Sequence, residues 1–209
     1  FTILFGLKPY KAFYLMLKDR KKIDKSEYPN FGFWLYTNLG GSGKTISMVN
    51  YAYSMKQKYP NLYIATNISS LWHIDEYITD WKQIVEMRNP LGDKYGVLIL
   101  LDEIHITLSS QNWKKAPPNL LEYVSQQRKL YKHIIASSQS FNRVNILLRE
   151  QTNYIIECRA LLGARWIFNS AFDTATYSIN GEKKDEGQKK RTRAFKLNFI
   201  ATDKIRSLY

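Results

Sequence analysis

The sequence predicts an α/β fold in which helices flank a mostly parallel sheet. From residue 31 onward, apolar segments of strand length alternate with segments of helical periodicity. A glycine-rich turn joins the first of these strands, residues 31–37, to an amphipathic segment at 45–59. Residues 95–105 form a continuous apolar run, which is typical of a strand buried on both faces. Strands separated by helices pair in parallel, because each helical crossover returns the chain to the same edge of the sheet.

The remaining elements follow the same alternation along the chain. Residues 1–30 are predicted to be a basic flanking segment with a short amphipathic helix within 8–25, and residues 31–209 to be the domain itself. Inside the domain, further strands are predicted at 61–68 and 132–138, and further helices at 74–88 and 117–131. A proline near the start of the last helix fits that position, because the N–H groups of the first helical residues have no carbonyl acceptor within the helix.

After residue 151 the pattern changes to strands with little helix between them. Residues 152–162 and 165–172 are strand-like and flank Gly163, and Asn180-Gly181 is a strong hairpin signal. We interpret this end as an antiparallel extension of the same sheet. Residues 182–193 are hydrophilic and rich in charge, which predicts an exposed basic loop.

Composition excludes several classes of protein. Hydrophobic residues make up 44% of the 209 residues and charged residues 23%, which is typical of a folded domain and not of a disordered chain. The single cysteine, Cys158, excludes a disulfide scaffold, and three well-separated histidines argue against a zinc site. No apolar run reaches the roughly 18–20 residues that span a bilayer.

The charge balance favours an anionic partner. Lysine and arginine number 31 against 18 aspartates and glutamates, which gives a formal net charge of +13. Nucleic acid and an acidic membrane surface both fit this surplus, whereas the fold is not determined by it.

The segment 38–45, Asn-Leu-Gly-Gly-Ser-Gly-Lys-Thr, predicts a phosphate-binding loop. A triphosphate needs converging backbone N–H donors at the positive end of a helix dipole, and only small residues let the chain wrap that closely. Lys44 would reach the β- and γ-phosphates, and the Thr45 hydroxyl would bind Mg²⁺. The predicted nucleotide-binding residues are Asn38, Gly40, Gly41, Ser42, Gly43, Lys44 and Thr45. The usual pattern begins with glycine where Asn38 stands, and asparagine is among the residues that best tolerate left-handed backbone angles.

Two consecutive acids after the buried strand predict the second half of this site. Asp102 would hold Mg²⁺ through water, and Glu103 would orient and activate the attacking water. Taken alone, two acids could simply end the strand in a loop. Their combination with the glycine-rich loop upstream favours a nucleotide site.

Gln139 follows the strand predicted at 132–138. A polar amide in this position could contact the γ-phosphate of a bound nucleotide, although spacing alone favours the start of a loop. His105, two residues beyond Glu103, allows either a supporting contact at the site or an ordinary strand-end position.

A family resemblance appears when these motifs are taken together. YTNLGGSGKT, a strand followed by Thr66-Asn67, VLILLDEIH, QQRKLYKHIIASSQSFN and ILLRE resemble the zonular-occludens-toxin-like branch of the FtsK/HerA P-loop ATPases. That branch includes assembly and extrusion proteins of filamentous phages and is related to genome-packaging ATPases of membrane-containing viruses. The similarity spans residues 31–162, and its first two motifs are generic to P-loop ATPases. The basic segment that precedes Ser138-Gln139 points to this branch.

The resemblance implies a RecA-like core that works as a homo-oligomeric ring, commonly of six subunits, and pumps DNA through its centre. Gln139 would be the γ-phosphate sensor. Arg128, or as a second choice Arg149, would be supplied to the neighbouring subunit's site, where a trans arginine can speed phosphoryl transfer roughly 10³–10⁵-fold. For either arginine, a surface salt bridge or a DNA contact is the alternative. The resulting catalytic set is Lys44, Glu103, Gln139 and Arg128.

The leading hypothesis is therefore an Mg-dependent ATPase that translocates DNA for viral genome packaging or for phage assembly and extrusion. Its expected partners are DNA, further copies of the chain, and a capsid portal or vertex or a membrane assembly complex. Its expected location is the host cytoplasm, the periphery of the inner membrane, or the virion. Basic side chains at 114–115 and 183–193 would line a DNA channel or would simply be solvated.

Two other functions compete with this hypothesis. A nucleotide-gated scaffold protein would hydrolyse nucleotide to switch protein contacts without moving DNA, and the basic charge argues mildly against it. A small-molecule kinase would need an acceptor pocket and a basic lid, which the sequence does not reveal. ATP is preferred over GTP, because no Asn-Lys-x-Asp motif occurs.

Overall fold

One mixed sheet of nine strands organises the domain. The computed structural model describes residues 8–22, 26–104, 127, 129–177 and 193–209. The strands are β1 Gly32–Thr37, β2 Tyr63–Thr66, β3 Glu76–Tyr77, β4 Val97–Leu101, β5 Lys132–Ser138, β6 Thr152–Leu161, β7 Trp166–Asp173, β8 Arg193–Lys196 and β9 Phe199–Ile200.

The strand order β3-β2-β4-β5-β1-β6-β7-β8, with β9 also paired to β7, confirms the predicted fold class. All pairs from β3 to β6 are parallel, and β7 runs antiparallel to β6, β8 and β9. The antiparallel extension begins at β7 and not, as predicted, at residue 152. β6 lies parallel to β1, with Trp34 opposite Tyr154, because a short helix after β5 returns the chain to the same edge.

Five α-helices lie in the described parts of the chain: α1 Lys8–Lys22, α2 Lys44–Lys58, α3 Trp81–Glu86, α4 Ile146–Glu150 and α5 Asp203–Arg206. Three short 3₁₀ turns, Asp93–Tyr95, Phe141–Arg143 and Thr174–Thr176, complete the connections. Among these segments no helix is long and apolar enough to cross a membrane.

The single helix predicted at 74–88 is wrong. Its first part forms β3, which pairs with β2, and α3 starts only at residue 81. The reason is a capping box: the Asp80 carboxylate accepts from the backbone N–H of Lys82, and the Gln83 side chain accepts from that of Asp80. The predicted helix at 117–131 lies mostly outside the described residues, and its last residues, 129–131, form a turn. The Asn180-Gly181 hairpin and the loop at 182–192 also lie outside them.

The centre of the sheet is buried on both faces, as the apolar run at 95–105 predicts. Every residue of β1, β4 and β5 is buried. One face packs Leu35, Ile99 and Ile134 into a core with Ile84, and the other packs Tyr36, Leu98 and Leu100 against Met48 and Val49 of α2. The three central strands are therefore rigid supports for whatever follows their carboxyl ends.

Candidate nucleotide site

The predicted motifs converge at one edge of the sheet. β1, β4 and β5 are adjacent and parallel, so their carboxyl ends meet at the same edge. The glycine-rich loop follows β1, the two acids follow β4, and Gln139 follows β5. In parallel α/β sheets this edge is where ligands bind.

Backbone conformation in the loop explains two of its glycines. Gly41 and Gly43 have φ angles of 74° and 87°, which are costly for residues with a Cβ. A Cβ on Gly43 would also lie 2.9 Å from Cδ1 of Ile167 on β7. Since Gly43 offers no side chain to cap α2, the first-turn amides of that helix are not taken up by an N-cap, and with the helix dipole they favour an anion. Gly40 and Ser42 complete the loop, in which Ser42 N–H donates to the Leu39 carbonyl at 3.3 Å.

Lys44 lies inside the loop that precedes it. Its side chain is buried, and its Nζ donates to the carbonyl oxygens of Asn38 at 3.0 Å and Leu39 at 3.2 Å. The ammonium group is thus held where the loop wraps, which is the position from which it can meet a phosphate chain.

Asn38 adopts a different conformation from the left-handed one that the sequence suggests. Its φ of 150° lies beyond the left-handed helical region and is normally populated by glycine. Two hydrogen bonds hold it there: Nδ2 donates to the Cys158 carbonyl at 2.9 Å, and Oδ1 accepts from the Leu39 N–H at 2.8 Å. The asparagine therefore ties the loop to β6, which a glycine could not do.

Asp102 lies next to Thr45, the second residue of α2. The Thr45 hydroxyl donates to Asp102 Oδ2 at 3.0 Å, and the Ser137 hydroxyl donates to Asp102 Oδ1. Asn67, at the end of β2, accepts from the Asp102 N–H at 2.8 Å and donates to the Asp102 carbonyl at 3.0 Å. Asn67 thus fixes the backbone of Asp102, and Ser137 fixes its carboxylate.

Glu103 completes the acidic pair at the mouth of a cavity. Its φ of 50° is left-handed, and its N–H donates to Ser137 Oγ at 2.9 Å. Strained non-glycine residues of this kind cluster at functional sites. The cavity has a volume of about 590 Å³ and is lined by Gly40, Gly41, Gly43, Lys44, Thr45, Ile46, Glu103, Ala164, Arg206 and Tyr209.

The oxygen ligands present fit Mg²⁺ and no softer metal. Thr45 Oγ1 and Asp102 Oδ2 are hard donors that already lie 3.0 Å apart. Within the described residues no group of three or more His, Cys, Asp or Glu residues could hold a metal ion. Mg²⁺ does not need such a cage, because it is usually held by one or two protein oxygens together with phosphates and water.

The remaining predicted residues are only partly brought together. Gln139 begins the loop after β5, and its Oε1 accepts from Arg143 Nη1 at 2.7 Å. Arg149 lies on α4, where its guanidinium stacks 5.6 Å from the centre of the Phe141 ring and does not line the cavity. Arg128 lies outside the described residues.

Sequence reasoning missed several residues of this site. Ser137 and Asn67 position Asp102, and although both lie within the motifs of the family resemblance, no role was predicted for them. Arg143, which holds Gln139, had no signal. The sequence also contains no signal for Arg206 and Tyr209, which line the cavity although they are far from the loop in sequence.

Comparisons with known proteins agree with this fold. A family model described as zonular occludens toxin (Zot) matches residues 34–197. The N-terminal domain of zonular occludens toxin from Neisseria meningitidis superposes with a TM-score of 0.57 at 16% identity, over 85% of this chain and 98% of that one. B204, the DNA-packaging ATPase from Sulfolobus turreted icosahedral virus, superposes with a TM-score of 0.52 at 12% identity, over 71% of this chain and 95% of that one. At these identities the superpositions show a shared fold. A search of curated protein sequences gives no match.

Proposed function

The chain belongs to the zonular occludens toxin (Zot) family of P-loop ATPases, and we propose that it is an ATP-hydrolysing motor that translocates DNA for viral genome packaging or phage assembly. One observation carries the proposal of ATP hydrolysis. The phosphate loop, Thr45 and Glu103 line a single cavity, and Asp102 is hydrogen-bonded to Thr45, although two separate segments of the chain supply these groups.

The loop and α2 would bind the phosphate chain of ATP. Backbone N–H groups of residues 40–45 supply donors, and the Lys44 ammonium neutralises charge on the β- and γ-phosphates. Because Lys44 is already held inside the loop, little reorganisation is needed when a phosphate replaces the carbonyls that it now contacts.

Thr45 and Asp102 would hold Mg²⁺ against these phosphates. The ion would supply positive charge that neutralises the charge developing on the phosphates during transfer. Ser137 binds the Asp102 carboxylate and Asn67 holds the Asp102 backbone, so the ligands are positioned before the ion arrives.

Glu103 would act on the attacking water. Its carboxylate orients the water and accepts its proton as the water oxygen bonds to the γ-phosphorus, while the bond to the bridging oxygen of ADP breaks. Gln139, held by Arg143, would sense the γ-phosphate from the end of β5. Arg128 or Arg149 would come from a neighbouring subunit, so the proposal requires an oligomer, for which a ring is the natural form.

We propose that DNA is the polymer that this motor moves. The net charge of +13 favours a polyanion, and B204 in the comparison is a DNA-packaging ATPase. Lysine and arginine contacts to phosphates would bind DNA without sequence preference and with a strong salt dependence.

The decisive experiment measures ATPase rate with and without double- and single-stranded DNA at rising salt, together with the native mass. We expect DNA to stimulate hydrolysis at low salt, the stimulation to fade as salt rises, and the mass to be a multiple of the chain. Glu103→Gln serves as the control for contaminating ATPase. An ATPase rate that DNA does not change at any salt concentration would contradict translocation and would favour a nucleotide-gated assembly protein.

A further inference from the structure

The cavity of the candidate site has a second wall, which the phosphate-binding motifs do not account for. Gly40, Gly41, residues 43–46 and Glu103 line the cavity as parts of those motifs, and a second wall of Ala164, Arg206 and Tyr209 lines it from elsewhere in the chain. Ala164 belongs to the turn between β6 and β7, and the other two residues belong to the C-terminal segment 201–209.

The C-terminal segment is fixed to the body of the domain at both of its ends. Ala201 is fully buried, and its N–H donates to the Arg165 carbonyl at 2.7 Å. Arg165 also forms an ion pair with Asp203 at 2.6 Å. At the other end Leu208 is buried, and its carbonyl accepts from the Trp72 N–H at 2.7 Å. Arg206 and Tyr209 are therefore presented by an anchored segment.

The same segment packs directly on the helix that the phosphate loop begins. Ile46 of α2 forms a buried cluster with Ile167 and Ala201, against which Ile205 packs. Lys204 places its ammonium 5.2 Å from the centre of the Tyr53 ring on α2. These contacts hold the second wall at a constant distance from the loop.

Arg206 brings a positive charge to the cavity without a carboxylate partner. Its Nη2 donates to the Gly163 carbonyl at 2.7 Å. Across the part of the chain that the structure describes, no carboxylate lies within ion-pair distance of its guanidinium. The remaining N–H donors of this half-buried side chain suit a phosphate oxygen, for which arginine is a strong charge-assisted donor.

Tyr209 brings an aromatic ring to the same wall. Tyr209 is 47% exposed and lines the cavity, although the preceding residue is buried, so its ring is not packed in the core. A flat aromatic face beside a phosphate site suits a nucleobase, because every base has a π-face that can stack on it.

We propose that Arg206 and Tyr209 complete the nucleotide site from within the same chain, with Arg206 binding the phosphate chain and Tyr209 stacking on the base. This rests on the proposed function, because it assumes that the loop binds a nucleoside triphosphate. It adds a nucleoside subsite that the phosphate loop and the acidic pair do not provide.

Calorimetric titration with two probes, ATPγS and inorganic tripolyphosphate, each with Mg²⁺, separates the two roles. We expect Tyr209→Ala to weaken ATPγS binding about tenfold and to leave tripolyphosphate binding unchanged, because only the nucleotide has a base. Tyr209→Phe should bind ATPγS like the wild type, since it keeps the ring. Arg206→Ala should weaken both probes about tenfold.

Two controls make the outcomes distinguishable. Lys82→Ala removes a positive charge from an exposed position on α3 that does not line the cavity, so it should bind both probes normally. Lys44→Ala should lose both probes. If Lys44→Ala binds neither probe while the Arg206 and Tyr209 variants bind like the wild type, the proposed role of the second wall is contradicted and the phosphate site is supported. If the wild type binds neither probe, both proposals fall.

Discussion

The same three central strands end in opposite ways at the two edges of the sheet. At their carboxyl ends, Lys44, Thr45 and Glu103 line an open cavity. At the amino ends, the first residues of β5, Lys132 and His133, are fully buried. Both edges therefore gather ionisable groups, but only one of them is accessible to a ligand.

The groups at the amino edge are bonded within the fold. The Tyr28 hydroxyl and His133 Nδ1 lie 2.7 Å apart, and the edge of the Trp34 ring packs on the imidazole. Lys132 Nζ donates to the carbonyls of Ile84 at 3.2 Å and Val85 at 3.4 Å, where α3 needs partners for its last turn. These contacts stabilise the sheet and offer nothing to a substrate.

This difference shows what a displaced pKa can and cannot indicate. Burial lowers the pKa of His133 to about 3 and that of Lys132 to about 7, and it raises the pKa of Tyr28 well above its usual value. Strongly displaced pKa values often mark functional sites. At the closed edge the displaced pKa values of these three groups report burial, and the open cavity with converging donors identifies the site.

The largest expected effect is the difference in ATP hydrolysis between two variants, one at each edge of the sheet. Lys44→Ala should lower the kcat/KM of ATP hydrolysis by about 10⁴-fold, because it removes a charge that meets the phosphates in both the ground and the transition state. Tyr28→Phe should leave hydrolysis unchanged and lower the free energy of unfolding by about 1–3 kcal/mol, because the buried His133 loses its hydrogen bond. Steady-state kinetics and urea unfolding measure the two. An activity loss in Tyr28→Phe at unchanged stability would break the contrast.

The carboxyl edge was more predictable from sequence than the rest. The loop at 38–45 and the acid pair at 102–103 are each a contiguous stretch of sequence, so each motif can be recognised from its residue types and spacing. Because both follow strands of a parallel sheet, they must lie at the same edge of it. The helix at 74–88 was mispredicted, because the capping box at Asp80 and the pairing of β3 with β2 outweigh an apolar periodicity. Arg206 and Tyr209 could not be predicted, because only the folded chain places them beside the loop.

Glu103→Gln tests the second half of the site. The amide keeps the shape of the side chain but cannot accept a proton from water, so kcat should fall about 10³-fold while ATP binding is retained. Trapped radiolabelled ATP after gel filtration, alongside single-turnover hydrolysis, measures both properties. Turnover at the wild-type rate would assign the base to another residue.

The closed edge predicts a pH dependence of stability. Because burial lowers the folded-state pKa of His133 from 6.5 to about 3, the unfolded chain binds more protons between these values and stability falls as pH falls. Relative to pH 7.5, this residue should cost about 2 kcal/mol at pH 5. Urea unfolding of His133→Gln should show a flatter profile than the wild type over this range. Equal slopes in the two proteins would contradict the prediction.

The smallest expected effect concerns Asn38, where strain and hydrogen bonding oppose each other. Asn38→Gly relieves a backbone conformation that costs about 1–3 kcal/mol, but it loses two hydrogen bonds that contribute about 1 kcal/mol each. The two changes nearly cancel, so the free energy of unfolding should change by less than about 1 kcal/mol. Asn38→Ala keeps the strain and loses both bonds, so it should be destabilised by about 2 kcal/mol. Equal destabilisation of the two variants in urea unfolding would mean that the hydrogen bonds, and not the backbone angle, determine which residue the loop tolerates here.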